Sequence, residues 1–578
     1  MNNILGWFFD LVMRGSVASF ERGLSRPYAT QEETLRRILT KNANCDFGKK
    51  HDFAKLAEQR GTDLWRLFRK TVPIRTYADF APEIERMKNG ESGVLIPGRP
   101  EMFSLTSGTT SEPKFCPVNR MFTKEHHRQH LLWMYNVYRD HPGVNQGKYL
   151  VAASPAEMGR TSGGLPYGAM SGKQLDSQSI PVRRRMAAPA AIQRLEEAES
   201  RWFNLLLFAL AEEDLRVVTA VNPSTLVAIA NRLAREAERL LECLEHGHPA
   251  RSRNTSPIEK SLASCFRPRP QRAKKLREIL QTDGSLSPTS VWPNLEMLLT
   301  WLGGSAAFYI PHVATLWGSI PRRCLGLRAS EGTFSIPLRD GDPSGVLALG
   351  GHAMEFIPAV DGPVQPESPT LLAGQLEEGG LYRLVITTSG GFYRYDLGDL
   401  VRVTGFRKRT PEIMFERRAG AVLSATGEKV TEDQVVGAME TAATNGPLLN
   451  GFSLTWEMVN GTARYVLAIE CSAGGSYKGH RLAMLRERIR QLLAVFDDEL
   501  MHRNCEYQTK RDDGRIAFPR AVLLAERSYE NLRSKLAAAG KPENQIKPPV
   551  LVHPPGPGRA PAPGCRFFAE MPIIAELE

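Results

Sequence analysis

Leu105-Thr-Ser-Gly-Thr-Thr-Ser-Glu-Pro-Lys114 is a run of hydroxyl side chains around one glycine, closed by a lysine. Hydroxyl and backbone N–H donors gathered in one tight loop can surround phosphate oxygens, and Lys114 adds positive charge at the rim. No Gly-Lys-Ser/Thr triplet is present, which excludes a Walker loop. Ser111-Glu-Pro-Lys114 also has the S-x-x-K spacing of serine acyl-enzymes. There the lysine lies one helical turn after the serine, and Pro113 suits only the first turn of a helix. Taken by itself the stretch is a weak signal, since Ser/Thr/Gly runs are usually plain loops, so its surroundings decide.

Those surroundings are long and globular. With 578 residues and about 150 per domain, the chain has length for several domains, or one large domain and a smaller one. Hydrophobic residues make up 42% and charged residues 24%, which excludes a wholly disordered chain, a collagen-like fibre and a disulfide-dense miniprotein. The 74 basic and 63 acidic residues leave a net charge of +11. Over this length that is a mild bias, and no nucleic-acid partner follows from it. The eight cysteines, Cys45, Cys116, Cys243, Cys265, Cys324, Cys471, Cys505 and Cys565, form no C-x-x-C pair. They read as reduced thiols of a cytoplasmic protein, most of them buried. Asp10 and Arg14 interrupt the apolar N-terminal run, which makes it a poor signal peptide. No stretch of about 18 apolar residues suggests a membrane span. Leu5, Phe8, Phe9, Val12 and Met13 are expected to share one face of an amphipathic helix docked on its own domain, with attachment to a membrane surface as the alternative.

Working outward, residues 1 to about 90 read as helices, with Thr30-Gln-Glu-Glu33 shaped like a capping box ahead of Leu35, Ile38 and Leu39. His126 to Tyr138 is helix-like. Residues 149 to 154 and Arg216-Val-Val-Thr-Ala-Val-Asn-Pro-Ser224 read as strands around a buried helix at 201 to 210. Arg267-Pro-Arg-Pro-Gln-Arg-Ala-Lys-Lys-Leu-Arg277 reads as a solvated charged face. Residues 381 to 406 read as strands with tight turns. Near residue 420 the composition shifts to a separate α/β pattern: a helix from Thr431, two strands, and a long helix from about 479 to 500. Residues 553 to 564 read as a loop of low order.

Four further motifs could carry chemistry. Leu327-Arg-Ala-Ser-Glu-Gly-Thr333 offers one carboxylate among small residues, enough for a magnesium ion, which takes one or two protein oxygens. In Tyr393-Arg-Tyr-Asp-Leu-Gly-Asp399, Asp396 and Asp399 cannot both point inward on a regular strand, and a single carboxylate there could accept both ribose hydroxyls. Arg417-Arg418 and Leu423-Ser-Ala-Thr-Gly-Glu-Lys-Val-Thr-Glu432 read as an interdomain joint carrying Lys429. Asn544-Gln-Ile-Lys-Pro-Pro549 carries an isolated lysine. His126, His127 and His130 have helix-face spacing, but no carboxylate or cysteine pattern completes a metal site.

In this order the motifs resemble the plant auxin-responsive (Gretchen Hagen) acyl-acid amido synthetases and their bacterial relatives, within the adenylate-forming enzymes. LTSGTTSEPKFCP at 105–117, WPNLEMLLTWLGG at 292–304, ASEG at 329–332, FYRYDLGDLV at 392–401 and the LSATGEKVTE segment carry the resemblance, which spans nearly the whole chain. It implies an α/β fold: a large N-terminal adenylation domain with mixed β-sheets and helices (residues 1–420), plus a smaller, mobile C-terminal α/β domain (421–578). It implies ATP and Mg²⁺ as cofactors, a small carboxylic acid as substrate and an amine as acceptor. Ser107, Gly108, Thr109, Thr110 and Lys114 would hold phosphates. Ala329 and Ser330 would line the adenine site, Glu331 would hold magnesium, and Asp399 the ribose. Arg418 would lie by the hinge, while Lys429 and Lys547 would come from the mobile domain, Lys547 as the adenylation lysine. Arg417 stands where relatives often have Gly, and Gly420 where an acidic residue is common.

The implied reaction activates a carboxylate as acyl-adenylate with release of pyrophosphate, then transfers the acyl group to an amine with release of AMP. A coenzyme A or carrier-protein thiol as acceptor, or a non-catalytic nucleotide-binding homologue, are the alternatives. The acyl pocket is expected from the helix at 121–138, Val221-Asn-Pro-Ser224 and residues 301–309, whose apolar and aromatic content suits an apolar or aromatic acid.

Overall fold

The described part of the first ninety residues forms the helices Ile4–Ser25, Pro27–Asn42, Asp46–Lys50, Phe53–Glu58, Gly61–Thr71 and Tyr77–Lys88, with Pro27, Gly61 and Pro73 marking three of the joints. The computed structural model describes residues 4–106, 114–195, 197–247, 256–359, 364–419, 422–423, 425, 428, 430–444, 446–459, 462–472, 479–512, 516–538, 546, 548–552 and 573–577. Leu35, Ile38 and Leu39 are fully buried, as their spacing predicts. The capping box at Thr30 is not formed. Pro27, with its fixed φ, starts that helix three residues earlier, and Thr30 Oγ1 donates back to Arg26 O at 3.0 Å from inside it. In the first helix Met13 is buried while Val12 is 57% exposed, so Val12 lies off the expected docked face. The expected loop at 553–564 falls outside the described residues.

The chain divides into two units between Phe415 and Glu416, inside the strand Thr410–Arg418. The first unit holds a four-stranded parallel sheet in the order Lys148–Ala152, Leu215–Ala220, Met297–Thr300, Arg322–Cys324. Val218 and Leu298 of its central strands are fully buried, as are Trp292 and Trp317 beside them. A six-stranded sheet runs in the order Ser335–Ile336, Gly345–Leu347, Thr410–Arg418, Tyr395–Arg407, Leu381–Thr387, Ala353–Pro358. Gln31 ties the helix Pro27–Asn42 to this sheet, donating to Leu349 O (2.6 Å) and His352 O (2.9 Å) and accepting from Met354 N (2.7 Å). A third sheet orders Lys114–Val118, Met102–Thr106, Pro166–Gly168 and Gly159–Arg160.

The basic run at 267–277 forms much of the helix Pro270–Asp283, and it is more than a solvated face. Ala273 and Leu276 are fully buried, and Arg272 is 8% exposed. Arg272 donates to Leu210 O (3.3 Å) and Val291 O (2.6 Å), two carbonyl acceptors that charge counting does not reveal.

The second unit builds a sheet from Leu449–Val459, Thr462–Cys471, Ile516–Leu524 and Ile573–Leu577, with the helices Glu432–Ala443, Gly479–Arg503 and Ser528–Ala538. Thr431 caps the first of these helices, accepting from Gln434 N, as the sequence suggests. Among the described residues no helix is long and apolar enough to cross a membrane.

The helix Arg120–Asp140 crosses the first unit and carries a buried carboxylate, Glu125. Glu125 accepts from Arg37 Nη2 at 2.8 Å and from Ser389 Oγ at 2.6 Å. Burial outweighs both partners and pushes its carboxyl up to about 7 from 4.5. Between those values the folded chain binds a proton that the unfolded chain has lost, so stability falls as pH rises through that window. Glu125→Gln removes this slope. Comparing thermal unfolding at about pH 5 and about pH 8, the wild type is expected to lose more than the variant. Equal losses would contradict the assignment.

Candidate active site

The strands Met102–Thr106 and Lys114–Val118 pair antiparallel, with Thr106 opposite Lys114. They flank the hydroxyl-rich loop, whose Ser107, Gly108, Thr109 and Thr110 lie outside the described residues. Lys114 stands 5.4 Å over the Tyr77 ring. The Tyr77 hydroxyl accepts from Phe115 N at 2.7 Å, and burial raises its ionisation above the usual tyrosine range. Tyr77 comes from the helix that the Thr76/Asp79 capping box starts, so that box fixes the aromatic floor under Lys114.

Ala329–Ser330–Glu331–Gly332 follows the last strand of the parallel sheet. It turns between two short antiparallel strands, Arg328–Ala329 and Gly332–Thr333. Ser330 Oγ donates to Leu105 O at 2.9 Å. Two motifs separated by more than two hundred residues therefore meet in one hydrogen bond. Ala329 is partly exposed, Ser330 buried, and Glu331 3% exposed. The Cys116 thiol hydrogen-bonds the Glu331 side chain, and burial, then the Glu331 charge, pushes that thiol well up. Glu331 is a buried hard-oxygen donor at the head of the loop strands. One such carboxylate, completed by phosphate oxygens and water, fits what magnesium requires of a protein.

Gly332 makes a close approach that only glycine allows. A Cβ there would run into the His352 ring. His352 is fully buried, packed on Phe122 and Phe334 at ring-centroid distances of 5.7 and 5.6 Å. Neither of its ring nitrogens has a hydrogen-bond partner among the described residues. Burial, reinforced by His126 and Arg37, brings its pKa down to about 3, so the ring is neutral. Gly332→Ala is expected to destabilise the first unit by about 1–3 kcal/mol, through overpacking against the ring. Chemical denaturation measures this, and an unchanged midpoint would contradict the close approach.

In the third motif the expectation that Asp396 and Asp399 cannot both turn inward fails, because the strand is not regular. Gly398 has φ +77° and the pairing register shifts opposite it. The bulge brings both carboxylates inside, each 7% exposed. Asp396 is committed to Arg383, accepting from Nε at 2.8 Å and Nη2 at 2.5 Å, and to Gly398 N at 3.0 Å.

The carboxyl ends of the parallel strands converge, the usual ligand edge of such sheets. Trp301 N donates to Val221 O at 3.0 Å, Trp301 Nε1 to Gly326 O at 3.2 Å, and Trp133 Nε1 to Cys324 O at 3.0 Å. The helix Arg120–Asp140, Val221 and Trp301, expected as pocket walls, are thus brought to one edge. On that edge His126 Nδ1 lies 3.3 Å from Thr333 Oγ1, and His130 faces Arg328 rather than an acidic ligand.

The second unit holds the other candidates. Lys429, Lys547, Gly420 and the Arg417 and Arg418 side chains lie outside the described residues. Their neighbours are described. Glu428 is 1% exposed and accepts from Ala425 N (2.6 Å) and the Tyr465 hydroxyl, with Lys510 Nζ at 3.7 Å. Sequence reading passed over Glu428 in favour of the lysine beside it, although it is what pins the segment. Ile546 is 2% exposed, Leu454 N donates to Val550 O at 2.6 Å, and Ser453 Oγ donates to Pro549 O at 2.6 Å. The residues flanking Lys547 are thus docked on the strand Leu449–Val459. Tyr77, Cys116 and His352 were also missed: nothing local in sequence marks a side chain that works by packing beneath a motif.

Comparison with known proteins gives three domain matches in chain order: the GH3 family N-terminal domain over residues 16–322, the central domain over 345–418 and the C-terminal domain over 433–555. The chain is 29% identical over 446 residues to the indole-3-acetic acid-amido synthetase GH3.2 of Arabidopsis thaliana, covering 72% of this chain and 78% of that one. It is 24% identical over 560 residues to the 4-substituted benzoates-glutamate ligase GH3.12 of the same plant, covering 92% and 95%. Among solved structures, the GH3.15 acyl acid amido synthetase superposes with a TM-score of 0.81 at 21% identity, covering 97% of this chain and 96% of that one.

Proposed function

This chain belongs to the GH3 family, and on that premise we propose that it is an ATP-dependent acyl-acid amido synthetase. It activates a carboxylic acid as its acyl-adenylate and transfers the acyl group to an amine, most simply an amino acid. The observation that carries this reading is the Ser330–Leu105 hydrogen bond, which joins the adenine-side motif to the phosphate-loop strand.

A carboxylate is a poor electrophile. Its oxygen attacks the α-phosphorus of ATP, and pyrophosphate leaves. In this reading Ser107, Gly108, Thr109, Thr110 and Lys114 hold the phosphates, and Ala329 and Ser330 line the adenine. Asp399 takes the ribose hydroxyls, since Asp396 is already spent on Arg383. Glu331 would hold magnesium, which neutralises phosphate charge when bound. Arg418 lies beside the nucleotide at the joint. The residues from 421 onward act as a mobile lid that presents Lys547 to the adenylation step and Lys429 to the transfer step. The amine nitrogen then attacks the acyl carbon, loses its proton, and AMP departs. A cytoplasmic setting and a bacterial source are part of the same proposal, resting on the cysteine usage and the motif resemblance.

The test is product mass. The protein, ATP, magnesium and a panel of aromatic and aliphatic acids are incubated with pooled amino acids or with coenzyme A. An acid–amino acid conjugate with stoichiometric AMP supports the reading. A thioester and no amide would replace it with thiol transfer.

A further inference from the structure

The buried arginines of the first unit come with carboxylates, whereas Arg328, half-buried as a residue but with guanidinium Nε and Nη2 out of reach of solvent, does not. Arg232 pairs with Glu199 at 2.6 Å, Arg323 with Asp140 at 2.8 Å and Asp340 at 2.6 Å, and Arg394 with Glu355 at 3.0 Å. Arg328 has no carboxylate within ion-pair distance among the described residues. Its Nε and Nη2 are buried without a hydrogen-bond partner. Nη1 faces only His130 Nδ1, at 3.5 Å. The guanidinium carbon lies 4.8 Å over the Trp133 ring.

Among the described residues no carboxylate pairs with Arg328. Burial, then Arg328, His126 and His127, push the His130 pKa well down, so that ring is neutral. Cys324, the charge-capable neighbour of Arg328, has its thiol raised by burial. Burial brings the Arg328 guanidinium itself down to about 10, still a cation at neutral pH. A desolvated cation without a counter-charge is costly, and a fold retains one where a ligand completes it.

Its position says which ligand. His126, His130 and Trp133 share one face of the helix Arg120–Asp140, the face expected to wall the acyl pocket. Ser330 and Glu331, two and three residues on, turn instead toward Leu105 and Cys116 and the phosphate-loop strands. Arg328 therefore faces the acid, away from the nucleotide motifs. An aromatic platform beneath a fork of unused N–H donors matches a planar carboxylate.

We propose that Arg328 binds a second, non-reacting carboxylate of the acid, so that the substrate of this chain is a dicarboxylic acid held over Trp133. The proposal rests on the acid-activating reading above, and its test separates the two. Benzoate, 3-carboxybenzoate and 4-carboxybenzoate are titrated calorimetrically into the full chain, with and without a non-hydrolysable ATP analogue. Wild type and Arg328→Met are compared, and the same acids are offered in pyrophosphate exchange. The expected result is at least a tenfold preference for a dicarboxylate in the wild type, levelled to within about twofold in Arg328→Met, with benzoate unaffected. The unliganded variant is expected to melt at or above the wild type, because an uncompensated charge has gone.

Equal binding of mono- and dicarboxylates to the wild type, or binding of neither, overturns the proposal. So does a preference that survives in Arg328→Met, or a variant that melts well below the wild type, which would make Arg328 structural. An Arg328 effect confined to the Michaelis constant of an amino-acid acceptor also overturns it, placing the carboxylate on the amine. Exchange without dicarboxylate preference removes the Arg328 role and leaves the reaction. Arg328-dependent binding with no exchange for any acid removes the reaction and leaves the anion site.

Discussion

Lys547→Ala is expected to lower acid-dependent adenylation by a factor of about 10²–10³ or more while leaving ATP affinity within a few-fold. The magnitude is that of removing one charge-stabilising donor from a transition state whose charge spreads over phosphate oxygens. ATP affinity is spared because the binding groups assigned here, apart from the lysine, are the phosphate loop, Ser330 and Asp399. The variant is expected to fold, because the chain on either side of Lys547 is docked by other groups: Ile546 is buried, and Val550 and Pro549 accept hydrogen bonds from Leu454 and Ser453. Equilibrium ATP binding and pyrophosphate exchange on the same preparation check it. Full exchange in the variant would remove Lys547 from the first half-reaction. Lys429→Ala is expected to keep exchange and lose conjugate formation.

Arg394→Met is expected to cost about 1–3 kcal/mol of stability, the range for removing a charged, buried hydrogen-bond donor, because Arg69 Nε, 2.9 Å from Glu355 Oε1, still compensates the carboxylate. Arg394 is 2% exposed, with a left-handed φ of +48°. It donates through Nε to Glu355 Oε2 (3.0 Å) and through Nη1 to Val72 O (2.8 Å). Burial alone would raise the Glu355 carboxyl, but Arg394 and Arg69 outweigh it and hold it below 4.5. A depressed folded value means that this stabilisation is present above about 4.5 and lost as pH falls through the lower folded value. Without Arg394, protonating Glu355 relieves part of the damage, so the deficit against wild type should shrink toward about pH 4. Denaturant titrations at about pH 7 and about pH 4 measure both. A deficit under about 1 kcal/mol at pH 7, or one that grows on acidification, would contradict the account.

How much of this was legible depended on whether the signal was local. The helix at 126–138 and the long helix from 479 carry their own periodicity, and both are present, as Arg120–Asp140 and Gly479–Arg503. The five motifs were legible because each is a run of residues with unusual composition. The failures share a cause. Thr30 looked like a cap because three residues fix that pattern, while Pro27 decides where the helix begins. Arg272 looked solvated because the two carbonyls it serves lie 62 and 19 residues away. Asp396 and Asp399 were set against each other by a period of two that the bulge at Gly398 breaks. Arg328 shows the same limit. Its residue type is ordinary, and its lack of an ion-pair partner among the described residues exists only once the chain is folded.

Pyrophosphate exchange into ATP, run on the full chain with magnesium and a broad panel of carboxylic acids, tests the central claim most directly. The account predicts exchange that needs both an acid and magnesium, occurs without any amine, and is highest for acids carrying a second carboxylate. ATP binding with no exchange for any acid would contradict it, and would leave a nucleotide-binding protein that keeps the fold without the chemistry.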